Sequence, residues 1–352
     1  MATASTGSGP PSSPTPLRQA INAVAEACRV ANAVQKNLEQ VRRIAKDDRS
    51  PVTVADFAVQ AIIHHALALH DPDVAIIGEE HAEQLKQADQ RAVLDAVVEA
   101  VQSYRETLSE DEVIAAIDAC DHDASGDAYW TLDPVDGTKG FLRGQHYAIA
   151  LARIENGRVT HGVMGCPNLS RQQTHPLDQP DVTGTIFAAN LEGGGWMLPA
   201  NEPDAEPDRV SITPENESQD RIRICESVEA AHSRQSDTER VLELMGIESD
   251  PVRLDSQTKY AVVARGQADA YLRMPTGRSY VEKIWDHAAG MLIAQEAGAM
   301  VTDITGTPLD FSRGTTLEAN RGIVCAVPHL HGRIIEAIDK LGLAAGARSG
   351  GG

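Results

Sequence analysis

Apolar residues recur at Leu17, Ile21, Val24, Cys28, Ala31, Val34, Leu38 and Val41. That helical spacing predicts a long amphipathic first helix from Leu17 to Ile44, and a second is expected from about Ala55 to Leu69. The run Val74-Ala-Ile-Ile77, stopped by Gly78, reads as a short buried strand, and Ala92 to Leu108 as a further helix. The acidic stretch from Asp118 to Asp127 reads as a surface loop. Tyr129 to Leu132 is an aromatic-rich strand running into a turn. Tyr147–Ile154 and Val159–Met164 flank Asn156-Gly157, the dipeptide of a two-residue hairpin. Gly193-Gly-Gly195 lacks the Lys-Ser/Thr of a phosphate loop and reads as a turn. The segment Asn201 to Gln219, rich in Pro, Glu and Asp, marks a boundary or an exposed loop. Beyond it, strands near Arg221–Cys225, Ala268–Leu272, Met300–Asp303 and Ile323–Ala326 alternate with helices near Asp237–Met245, Ser256–Arg265, His287–Ala297 and His329–Leu341. Residues 17–200 therefore form an α+β half and residues 220–343 an α/β half, between a disordered tail at 1–16 and a flexible one at 344–352.

Composition narrows the classes. The chain of 352 residues is 42% hydrophobic, enough for a large core, and has no apolar run of membrane-spanning length. Met1 to Pro16 is rich in Ser, Thr, Gly and Pro and lacks the basic and apolar regions of a secretory signal. Cys28, Cys120, Cys166, Cys225 and Cys325 are spread out and odd in number, which suits neither zinc nor a disulfide framework and points to a reducing cytoplasm. The net charge of −20 argues against a nucleic-acid polymer as partner. Lysine is scarce, with seven against 24 arginines, which fits either a protein soluble in concentrated salt or a GC-rich genome.

The candidate chemistry is acidic. Asp56 stands at the expected start of the second helix, Glu79 and Glu80 follow the strand ending at Gly78, and Asp286 is the expected N-cap of a helix ending at Gly298. In Asp133-Pro-Val-Asp136-Gly-Thr138, Pro134 fixes one φ and Gly137 can take a positive one, so a tight turn can aim two carboxylates at one point beside the Val135 carbonyl. Hard oxygen ligands of that kind suit Mg²⁺. An Asp-rich turn alone can equally be an ordinary turn, and spacing does not prove that the segments converge.

Taken together, Asp56, Gly78-Glu79-Glu80, Asp133-Pro-Val-Asp136-Gly-Thr138 and Trp285-Asp286-His-Ala-Ala-Gly290 resemble the lithium-sensitive, magnesium-dependent phosphomonoesterases of the inositol monophosphatase superfamily. Within it, Lys46–Thr53, Thr138–Gly144, Gly165–Leu169, Leu254–Tyr260 and Glu282–His287 are most similar to the 3′(2′),5′-bisphosphate nucleotidases, with Gln145-His146 as a mild departure. The resemblance spans roughly Leu17 to Leu341 and implies a layered α/β/α/β/α sandwich with the site between the halves. It also implies that Glu79, Asp133, Asp136, Asp286 and the Val135 carbonyl hold two to three Mg²⁺, and that Asp56 and Thr138 orient and deprotonate the attacking water.

The implied substrate is 3′-phosphoadenosine 5′-phosphate, with the sulfated nucleotide as a further one; the alternative is an inositol monophosphate or sugar phosphate. A bisphosphate needs a pocket for the phosphate that stays. Ser256, Lys259 and Arg273 are the candidates, with His232 beside the ribose or base and Thr138 and Asp286 toward the reacting phosphate. Ser256 and Lys259, three apart, are expected on one face of a helix start. Four of the seven lysines fall in family-like segments, Lys259 among them. The resemblance is compatible with a monomer or a homodimer and implies no membrane partner.

Overall fold

The computed structural model describes residues 15–38, 50–83, 85–87, 90–212, 221–228, 235–275 and 280–344. Helix α1 (Pro16–Lys36) opens on Thr15, whose hydroxyl accepts the Arg18 N–H at 3.4 Å, with proline in the first turn, where no donor is lost. It buries the predicted stripe from Leu17 to Val34. It stops at Lys36, short of Ile44, because Asn37 turns its side chain and its own N–H back onto the last carbonyls. The rest of the expected extension, residues 39–44, lies outside the described residues, as do 1–14 and 345–352 of the expected tails. Helix α2 (Ser50–Ala68) starts five residues earlier than expected and is apolar almost all round, so it lies buried against α1 and the first sheet.

That sheet runs in chain order through β1 (Ile76–Gly78), β2 (Ala128–Asp136), β3 (Ala148–Glu155), β4 (Arg158–Cys166), β5 (Thr185–Asn190), β6 (Gly194–Pro199) and β7 (Asp208–Val210), with only β1 and β2 parallel. The crossover from β1 to β2 carries α3 (Arg91–Gln102) and α4 (Glu110–Asp118). The helix expected over Ala92–Leu108 ends early, at Gln102, and α4, beginning at Glu110, is a further helix that was not expected. A capping box of Ser109 and Glu112 starts α4, and its three first-turn acids face the positive end of the helix. Asn156 and Gly157 take φ of 51° and 74° and make the predicted hairpin between β3 and β4. A short helix, α5 (Thr138–Leu142), follows β2.

The second sheet is ordered β11 (Met300–Thr302), β12 (Ile323–Ala326), β10 (Ala270–Arg273), β8 (Arg221–Glu226), β9 (Glu248–Arg253). The edge strand β9 was not expected, since Glu248-Ser-Asp-Pro-Val-Arg253 is polar and carries a proline that only an edge tolerates. Helices α6 (Gln235–Met245) and α9 (Pro328–Lys340) pack outside this sheet, and α7 (Thr258–Ala264) and α8 (Ala288–Glu296) fill the space between the two sheets. The result is the expected α/β/α/β/α layering, with an apolar core on the outer face of each sheet and a third around the central helices between the two sheets. Small residues let the central layer close. A Cβ on Gly290 of α8 would collide with the buried Tyr260 ring of α7, and one on Gly162 of β4 would meet the Ala289 carbonyl at 3.0 Å.

Candidate metal and phosphate site

Register fixes the first two acids. Gly78 pairs with Leu132 across the parallel β1–β2 contact, so Glu79, just past the end of β1, comes beside Asp133 of β2. Strand β2 does not turn after Leu132 as expected. It continues to Asp136 through a bulge, with Asp133 opposite Ala150 and Asp136 opposite Ala148, and Pro134 and Val135 in the extra space. A bulge re-aims side chains that strict alternation would place apart. Gly137 then takes φ 92° and leads into α5, so that Thr138, exposed, opens the helix. A Cβ on Gly137 would stand 2.9 Å from the Ser256 Cβ, which measures how closely the segment before α7 is pressed against this turn.

Asp56 lies in the second turn of α2, not at its start, and is buried. One turn on, the fully buried Gln60 donates to the Glu80 carbonyl at 2.7 Å and the Ile117 carbonyl at 3.1 Å and accepts the Glu80 N–H at 3.2 Å. Gly78 must lack a side chain because a Cβ there would collide with that amide. Asp286 is not an N-cap: α8 begins at Ala288 with His287 at the cap position, and Asp286 sits one residue earlier in the turn. Gln257 joins the remaining pieces. Its backbone N–H donates to Asp136 Oδ2 at 2.5 Å, its side-chain Nε2 donates to the Trp285 carbonyl at 2.8 Å, and its side-chain Oε1 accepts the Gly290 N–H at 3.3 Å.

The electrostatics show that these acids share one place. Burial lifts Asp133 well above the ordinary carboxylate range, and Asp136, Glu79, Asp286 and Asp56 all add repulsion. Asp56 is lifted likewise by burial, then by Glu80 and Glu79. Glu79 is pushed to about 7 by desolvation, Glu80 and Asp136; its outer side meets solvent, so screening tempers this. Asp286 is raised to about 7 by burial, against the pull of His287 and Arg273. Asp133 Oδ1 is buried with no hydrogen-bond partner among the described residues. Crowded carboxylates with an orphaned buried oxygen fit a hard divalent cation, whose charge would reverse the repulsion.

Two cations face the acids from the C-terminal half. Lys259 is buried, donates to the Leu254 carbonyl at 3.3 Å, lies 5.2 Å from the Tyr271 ring centre and is attracted by Asp136; burial lowers its pKa. Ser256 precedes α7 in a left-handed conformation, φ 69°, and its hydroxyl pairs with Thr258 at 2.8 Å, so it does not share a helical face with Lys259 as expected. Arg273 is gripped by Glu282 at 2.9 Å through both Nε and Nη2, and Glu282 also contacts His287 at 3.3 Å. His287 in turn meets the Tyr260 hydroxyl at 3.0 Å. Glu282, Asp286 and His287 offer three ligand atoms within 4.8 Å of one another, a grouping the sequence reading passed over although it quoted Glu282–His287 as one segment. Glu282 already serves Arg273 and His287, so we regard it as bracing rather than ligation. His232 lies outside the described residues.

A five-layer α/β/α/β/α sandwich with a cluster of crowded carboxylates where its layers meet defines the class of protein. Residues 16–343 match the inositol monophosphatase family, and the chain belongs to that family. The chain is 40% identical over 318 residues to the 3′(2′),5′-bisphosphate nucleotidase of Schizosaccharomyces pombe, covering 88% of this chain and 89% of that one. It is 41% identical to the enzyme of that name from Emericella nidulans, covering 85% and 90%, and 40% identical to the 3′,5′-bisphosphate nucleotidase AHL of Arabidopsis thaliana, covering 84% and 87%. The fold is shared with Mycobacterium tuberculosis SuhB, at TM-score 0.57 and 20% identity over 94% of this chain and 98% of that one. It is shared also with CysQ from Bacteroides thetaiotaomicron, at TM-score 0.55 and 19% identity over 88% and 96%.

Proposed function

We propose that this protein is a magnesium-dependent phosphatase that removes the 3′-phosphate of adenosine 3′,5′-bisphosphate, leaving AMP and inorganic phosphate. The observation that carries the reading is the pairing of a carboxylate cavity with two cations, Lys259 and Arg273, directly beside it. A monophosphate needs the first group; only a second phosphate needs the other. The bisphosphate nucleotidases that match over most of both chains support the same substrate class.

In this reading Glu79, Asp133, Asp136, Asp286 and the Val135 carbonyl hold two to three Mg²⁺. Bound cations supply charge neutralisation for the phosphoryl oxygens and make water a stronger acid. Asp56 and Thr138 orient the attacking water and take its proton; burial and like charge already make Asp56 an avid proton holder. Ser256, Lys259 and Arg273 hold the phosphate that stays, and Glu282 fixes the Arg273 fork. The five cysteines are all free and buried, consistent with work in a reducing compartment such as the cytoplasm. Among the described residues no helix is long and apolar enough to cross a membrane.

Phosphate release from adenosine 3′,5′-bisphosphate and inositol 1-phosphate, with and without Mg²⁺, tests the reading. We expect Mg²⁺-dependent release with the bisphosphate as the faster substrate. Faster hydrolysis of inositol 1-phosphate would overturn the substrate assignment, and release unaffected by chelation would overturn the metal assignment.

A further inference from the structure

Among the described residues, clefts away from the acidic site carry arginine. In one, beside β8 and β9, Arg221 is held by Asp250 at 2.6 Å and Arg223 by Asp269 at 2.8 Å, so the cations there are already neutralised. Another is a cleft of 240 Å³ between α1 and the segments around Tyr104, Thr183 and Asn201. Arg29, Asn32 and Lys36 line it from α1, and at positions i, i+3 and i+7 they form one stripe of the helix.

Among the described residues no carboxylate lines this cleft, although acids outnumber bases by 51 to 31 in the chain. Glu26, the acid one turn before Arg29, is engaged by Arg105 at 2.7 Å, and neither Arg29 nor Lys36 has an acidic partner among the described residues. Asn32 has a fixed polarity: its Oδ1 accepts the hydroxyl of the buried Tyr147 at 3.1 Å, which leaves its N–H groups for another partner. Two uncompensated cations with an amide donor between them make a receptor for negative charge, on a surface whose net field elsewhere repels it.

We propose that this cleft binds a small oxyanion, phosphate or sulfate, either free or as the charged end of a small ester. The cations are exposed, so affinity is modest, with a Kd on the order of millimolar, and it weakens as salt screens the pair. The site shares no residue with the acidic cavity, and it stands or falls independently of the phosphatase reading.

The test titrates sodium sulfate into the full chain in EDTA at constant ionic strength, by calorimetry, in the native protein and in the Arg29→Gln/Lys36→Gln double variant. Sulfate bound near Lys259 and Arg273 is common to both proteins and cancels. We expect the double variant to lose at least roughly five-fold in affinity, and Lys36→Gln alone to lose less in the same direction. A crystal soaked in selenate should show an anomalous peak beside Arg29 and Lys36. AMP run in parallel separates the sources: an equal loss for AMP assigns an ester head, and a loss for sulfate alone assigns the free ion. Equal sulfate affinity in native and double-variant proteins, or a selenate map without that peak, overturns the proposal.

Discussion

Replacing Asp286 with asparagine should stabilise the metal-free protein at alkaline pH while disabling the metal site. In the folded chain the Asp286 carboxyl is lifted from its ordinary 3.8 to about 7, by burial first and then by Asp136 and Glu282, with His287 and Arg273 opposing. A folded pKa above the unfolded one means that the folded state keeps the proton longer. Stability from this group is therefore full below about pH 4, falls as pH rises toward 7, and is level beyond. At 1.36 kcal/mol per pH unit the gap is about 4 kcal/mol, and partial solvent access reduces it to on the order of 2 kcal/mol. The Asp286→Asn variant carries no charge there and does not suffer this loss. In EDTA at about pH 8 it should melt about 3 °C above the native protein, given the unfolding entropy of a chain this long, and the two curves should converge on acidification and meet below about pH 4. Added Mg²⁺ should raise the native melting temperature and leave the variant nearly unmoved. Scanning calorimetry across pH, with and without metal, reads all three. A variant that melts below the native protein in EDTA at about pH 8, or a difference that does not shrink on acidification, refutes the account of the cavity as crowded like charge.

Asp136→Asn should cut phosphate release by at least roughly a hundredfold while the circular dichroism spectrum stays native, because the residue serves the cavity and not a core; native turnover with Mg²⁺ would refute that role. Gly290→Val should cost at least about 1–3 kcal/mol in urea unfolding, since the added methyl groups meet the buried Tyr260 ring, and an unchanged unfolding midpoint would show that α7 and α8 pack more loosely than described.

Much of this architecture is legible in the chain because local signals agree with it. The stripe of α1, the Asn156-Gly157 hairpin and the alternation beyond residue 220 each carry their own period or turn chemistry. The start of α4 also carries its own signal, since Ser109-x-x-Glu112 is a capping box, although no helix was expected there. Strand β9 was not legible, because an edge strand needs no apolar face. The acids were identifiable by type and neighbourhood, yet the bulge that aims Asp133 and Asp136 depends on pairing with β3, which no local pattern records. Least legible were Gln60 and Gln257. The Gln60 amide meets Glu80, 20 positions away, and Gln257 meets Asp136, 121 positions away, through its backbone N–H while its amide joins Trp285 to Gly290.

Those two amides explain how layers can be joined beside so much negative charge. A lysine or arginine would bind the backbone carbonyls but would compete for the carboxylates; an acid would add repulsion. A carboxamide donates and accepts at once and carries no charge, so Gln60 can satisfy both the N–H and the C=O of Glu80. This separates two substitutions that look alike. Gln60→Leu leaves three backbone groups unpaired and should cost about 2–4 kcal/mol at any pH. Gln60→Glu at about pH 8 loses the same donors and places an unpaired charge beside Glu80, so it should cost more, about 3–5 kcal/mol. At about pH 5 the buried acid takes up a proton and regains a donor, and its cost should fall below that of leucine. Urea titrations of both variants at the two pH values decide the matter, and a leucine variant that is the less stable at both would mean that volume, not charge and donor count, is what Gln60 contributes.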